Sequence, residues 1–82
     1  MEVHILVKHP TTKFRACLVA VTLENKPNPK DIIEFPNLPK MEVKSVFNHG
    51  LSSSVECVIK GKYTAKQCMQ VFEKENWNTY GV

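Results

Sequence analysis

Three cysteines, three histidines and eight carboxylates are the side chains in this chain that could carry covalent, metal or acid–base chemistry. A zinc site needs ligands spaced so that a turn or helix closes around the ion, and the chain has neither C-x-x-C nor H-E-x-x-H. His4 and His9 stand five apart, but a strand followed by a proline turn aims them differently, so no metal site is expected. Cys17, Cys57 and Cys68 are widely spaced and odd in number, which reads as reduced thiols in a cytoplasmic protein. A cysteine nucleophile needs a base and a depressed thiol pKa. Cys68 lies near a helix start, yet it is in register with Ala65, Met69 and Phe72, and His49 sits on a turn with no cysteine expected beside it. All three thiols therefore read as small buried hydrophobes. Glu2, Glu24, Asp31, Glu34, Glu42, Glu56, Glu73 and Glu75 are scattered, with none inside an apolar run that would raise its pKa for acid catalysis. The three glycines are isolated, so no phosphate-cradling loop and no nucleotide cofactor are expected.

The basic groups are the remaining chemistry. Lysine and arginine number 11 against 8 acids, for a formal charge of +3. Lys8, His9, Lys13 and Arg15 cluster around one turn without an acid. Lys66, Gln70, Lys74 and Trp77 step by four, four and three, which sets them on one stripe of a helix. Lys62 and Tyr63 lead into that stripe. Lysines with an aromatic at each end suit phosphate contacts plus base stacking. The same residues would also make an ordinary solvated helix face, with Trp77 folded over the edge of the core. Lys66 in the first turn and Glu73 and Glu75 in the last oppose the helix dipole, so helix stability alone does not account for their placement.

These residues must be positioned by an 82-residue chain, long enough for one domain with one modest core. Phe14–Leu23 is the longest nearly uncharged apolar run, too short to span a membrane, and reads as a strand deep in a sheet. Phe14, Ala16, Leu18 and Ala20 fall on one side of it, and Cys17, Val19 and Val21 on the other, so both faces of the sheet are expected to be covered. Glu2–Lys8 alternates as a first strand, with Val3, Ile5 and Val7 inward. His9-Pro10-Thr11-Thr12 closes a hairpin. Glu24–Asp31, with Pro27 and Pro29, is a loop. Pro36 and Pro39 forbid a central strand over Ile32–Pro39, which is expected to pin onto the sheet as a cover, a short edge strand or a helical turn. Met41–Phe47 is a third strand, with Met41, Val43, Ser45 and Phe47 on one face. After a turn at Asn48-His49-Gly50, Ser52–Lys62 is a fourth, with Val55, Cys57 and Ile59 inward. Thr64 and Gln67 fit a capping box that opens the one helix, which fades near 76–78.

The expected architecture is α+β: an antiparallel four-stranded sheet of two hairpins in ββββα order, with the helix packed on one face. Leu6, Val19, Val21, Val46 and Val58 are expected on the second face, covered by the Ile32–Leu38 segment or by another copy of the chain. In size and in lacking catalytic motifs, the chain resembles the small accessory proteins that phages make, which bind host factors, toxins or nucleic acid. The expected function is a non-enzymatic binding protein: a phage-type inhibitor or modulator, homodimeric and without a membrane partner. Its expected target is RNA or a protein–RNA assembly, contacted through Lys62, Lys66, Lys74, Tyr63, Trp77, Lys8, Lys13 and Arg15. The alternative is a protein-directed inhibitor anchored by Val19, Val21 and Phe35, and a cysteine-dependent enzyme stands third.

Overall fold

The structure, a computed structural model, describes residues 2–50 and 52–81. Seven elements follow one another: β1 (Glu2–Lys8), β2 (Arg15–Thr22), β3 (Ile32–Ile33), β4 (Met41–His49), β5 (Ser52–Ile59), α1 (Ala65–Lys74) and β6 (Asn78–Tyr80). The strands form one six-stranded sheet in the order β3-β4-β5-β1-β2-β6. The class is α+β, and both expected hairpins form, but the sheet is mixed rather than antiparallel. β5 lies parallel to β1, from Val3 opposite Ser53 to Lys8 opposite Val58. The two short edge strands β3 and β6 complete it.

The parallel pair follows from the long proline-bearing connection between β2 and β4. A parallel neighbour needs a crossover of a dozen residues or more, and this segment supplies it. Ile33, Phe35 and Leu38 pack on the core as the chain crosses the helix-covered face. The β4–β5 hairpin then inserts with its second strand against β1. The segment expected to cover the second face is thus on the first, with Ile32–Ile33 as its edge strand.

Two irregularities decide which side chains face the core. β1 and β2 pair Ile5 with Leu18 but Val3 with Val21, so β2 carries an extra residue. Ala20 absorbs it with φ of 66°. An extra residue resets the alternation of a strand, and Leu18 and Val21 both turn to the core while Val19 stays 57% exposed. β4 and β5 pair Val43 with Cys57 but Ser45 with Glu56. Val46 is therefore packed on the core and Phe47 is 47% exposed, the reverse of the assignment that strict alternation gives. With Val19 and Phe47 outside, the chain covers one face of its sheet and leaves the other open.

Thr64 caps α1 as expected. Its hydroxyl accepts from the Gln67 amide at 3.1 Å, and its own amide donates to Gln67 Oε1 at 2.9 Å. Cys68 and Phe72 are the buried positions of the helix. The helix ends one turn earlier than its stripe pattern suggests. Asn76 takes φ of 64°, the Asn76 amide donates to the Glu73 carbonyl, and the Trp77 amide donates to the Phe72 carbonyl. That is a Schellman termination, in which the residue after the left-handed one packs back on the helix. Trp77 accordingly meets Phe72 edge-on at 5.0 Å and Phe35 at 5.7 Å. It is only 5% exposed, so its expected place on the exposed helix stripe is corrected. The reversal sends Asn78–Tyr80 onto β2. Gly81, with φ of 76°, passes so close to the hairpin tip that a Cβ there would collide with the Lys13 carbonyl.

Candidate functional site

Because β1 and β5 are parallel, their C-terminal ends lie at the same end of the sheet, where β2 and β4 begin. That end gathers Lys8, Lys13 and Arg15 from the first hairpin. Lys40 comes from the approach to β4, and Lys60 and Lys62 from the exit of β5. Lys66 joins them from the first turn of α1. The two basic clusters, separate in the sequence, meet at one end of the sheet.

His9 ties them together. Its Nδ1 accepts from the Thr11 and Thr12 amides, each at 3.2 Å, and its Nε2 donates to the Tyr63 carbonyl. A carbonyl can only accept, so the hydrogen of this tautomer sits on Nε2. The ring closes the hairpin tip on one side and holds the 62–63 segment on the other. The His9 amide bonds the Phe14 carbonyl at 3.1 Å, which fixes the base of the turn. Tyr63 rests over Gly61, where a Cβ would approach its ring to 3.0 Å. Beside it Lys40, Lys60 and Lys62 line a shallow depression of about 540 Å³.

Two of the acids near this end are occupied. Glu34 pairs with Lys40 at 3.2 Å, and Glu42 pairs with Lys44 at 3.0 Å and Lys60 at 3.1 Å. The Lys44 hydrogen bond, then that of Lys60, holds the Glu42 carboxyl below the ordinary range. Among the described residues, Lys8, Lys13, Arg15, Lys62 and Lys66 have no acidic partner. These five set the charge of the surface.

Not every residue named from the sequence is there. Lys74 is exposed but lies at the far end of α1, about 12 Å along the axis from Lys66. Trp77 is in the core. A tyrosine missed by the pattern reading takes a place nearby: Tyr80 on β6 lies opposite Arg15 and is 55% exposed. Interaction with the Cys17 thiol on the neighbouring strand pushes the Tyr80 pKa up. Alternation of Asn78, Thr79 and Tyr80 after a left-handed Asn76 was the one trace of this strand, and three residues are too few to announce it.

The open face carries a second feature. Leu6, Cys17, Val19, Phe47 and Glu56 line a depression of about 460 Å³. Of the three anchors named for a protein partner, Val19 belongs here. Val21 and Phe35 do not: the bulge turns Val21 inward, and Phe35 packs on Trp77. Elsewhere, burial pushes the Cys57 thiol up to about 12 and raises that of Cys68, which disfavours the nucleophilic thiolate at both. The side chain of His49 lies outside the described residues. Among those described, no three His, Cys, Asp or Glu residues gather to hold a metal ion, and no helix is long and apolar enough to cross a membrane. In comparisons with family models, curated proteins and solved structures, nothing matches the chain.

Proposed function

We propose that this chain is a non-enzymatic binding protein that engages RNA, alone or within a protein–RNA assembly, through the basic end of its sheet. One observation carries the reading. The parallel β1–β5 pairing brings two distant cationic segments to one end of the sheet, where Glu34 and Glu42 are already ion-paired. Five cations without an acidic partner, spread over the strands, turns and helix start at one end of the sheet, suit an extended run of phosphates. Such a protein acts by occupying its partner, as small phage-type modulators do. The test is a gel shift with labelled RNA at ~50 mM salt, where phosphate contacts are strongest. Reversing one charge from each cluster, Lys13→Glu with Lys62→Glu, should weaken binding at least about tenfold. Lys74→Glu, remote from the surface, should change it far less. Binding indifferent to the double reversal removes the proposal.

A second reading is favoured by the open face. Val19 at 57% and Phe47 at 47% exposure flank an apolar depression, a suitable anchor for a protein partner or for a second copy of the chain. A homodimer formed there would present the basic end twice. For a protein-directed inhibitor, charge reversal at Lys13 and Lys62 would leave activity intact, while Val19→Asp would abolish it.

A further inference from the structure

Across the open face, at the basic end, one row of cross-strand neighbours runs Tyr80, Arg15, Lys8, Val58, Glu42 from β6 to β4. Adjacent strands are about 4.8 Å apart, so two cations stand within about 10 Å of the tyrosine. The row ends in an acid that is itself neutralised by Lys44 and Lys60. Along the row the charge is positive beside the aromatic and compensated beyond it. Tyr80 is on an edge strand, more than half exposed, with Cys17 one diagonal position away on the neighbouring strand. A tyrosine ring has few rotatable bonds, so little ordering entropy is lost when something stacks on it.

We infer that Tyr80 is a base-stacking platform, and that the nucleic acid bound at this end is single-stranded, with a base on Tyr80 and its flanking phosphates on Arg15 and Lys8. This rests on the RNA reading above and narrows it. In a duplex both faces of each base are already stacked on neighbours, so an aromatic ring reaches them only after the helix is opened. A single strand offers its bases unstacked, and aromatic side chains beside cations are how proteins hold such strands without reading sequence. Tyr63, 39% exposed and held to His9 through its carbonyl, supplies a second ring at the same end of the sheet.

The experiment is fluorescence anisotropy with a labelled single-stranded RNA of about 10 nucleotides and with the duplex of the same length, at ~50 mM salt. The single strand should bind at least about tenfold tighter than the duplex. Tyr80→Ala should weaken single-strand binding about tenfold while leaving duplex affinity and the salt slope unchanged. Tyr80→Phe, which keeps the ring, should stay within about twofold of the parent chain. In the unsubstituted protein, the Tyr80 ring protons should move upfield as unlabelled strand is added, a readout independent of any folding defect in the variants. Equal affinity for strand and duplex overturns the inference, as does a salt-dependent complex in which Tyr80→Ala binds normally and the ring protons do not move. Either result leaves the broader RNA reading standing. Absence of binding to both RNAs overturns the two together.

Discussion

Trp77 separates two pictures of this protein, and replacing it distinguishes them. On an exposed helix stripe it would be a stacking residue of little structural consequence. In the structure it is 5% exposed, wedged against Phe72 at 5.0 Å and Phe35 at 5.7 Å. Trp77→Ala removes the largest side chain of that aromatic cluster, and such truncations in a core cost about 3–5 kcal/mol. A domain of 82 residues has a total stability of roughly 4–12 kcal/mol at about 0.05–0.15 kcal/mol per residue. The substitution therefore consumes a large share of it. With about 4–8 °C lost per kcal/mol in a domain of this size, the melting temperature should fall by about 12 °C or more. The damage should spread to β6, because Trp77 is the hinge that returns the chain to β2. Thermal unfolding followed by circular dichroism measures the first effect, and amide exchange at Thr79 and Tyr80 the second. A Trp77→Ala protein that melts within about 3 °C of the parent would refute the reasoning, because only an exposed side chain is that expendable.

Further outcomes follow from the ion pairs, the thiols and the open face. Glu42→Gln should release Lys60 and Lys44 and so strengthen RNA binding and steepen its salt dependence, which anisotropy titrations at two salt concentrations would show. Cys57 should resist alkylation in the folded protein near pH 8, as mass spectrometry can count. Because its folded pKa is raised to about 12, the unfolded chain loses its proton first as pH climbs. Stability should thus be intact below about pH 9 and decline between about pH 9 and 12 in denaturant titrations. Val19→Asp with Phe47→Ser should leave the melting temperature within a few degrees, since both positions are exposed, but convert a two-chain species to one chain in light scattering if the open face joins copies.

What the sequence reveals here is mostly local. The β1–β2 hairpin and the Thr64–Gln67 capping box form as their residues dictate, because each is specified by neighbours a few positions apart. The strict alternation of β5 likewise matches its burial at every position. The bulges were not legible. Ala20 has no glycine-like excuse for a left-handed φ, and nothing around Lys44 marks an extra residue, so strict alternation assigns Val21, Val46 and Phe47 to the wrong faces. Nor does Asn76 announce itself as a helix terminator, so spacing alone leaves Trp77 open to both the exposed stripe and the core edge. Strand order is a property of the whole chain rather than of any window. The parallel pairing of β1 with β5, which unites the basic clusters, could not be read from either strand. The individual members Lys8, Lys13, Arg15, Lys62, Lys66 and Tyr63 were all recognisable by type, while Tyr80 depended on a strand of three residues.

The central claim is that the merged basic end contacts phosphates, and the salt dependence of RNA binding tests it most directly. Five cations on a single strand should release counterions so that log K falls with log salt at a slope of about −3.5. A slope near that value supports the account. No binding at ~50 mM salt, or binding that does not weaken as salt rises, contradicts it.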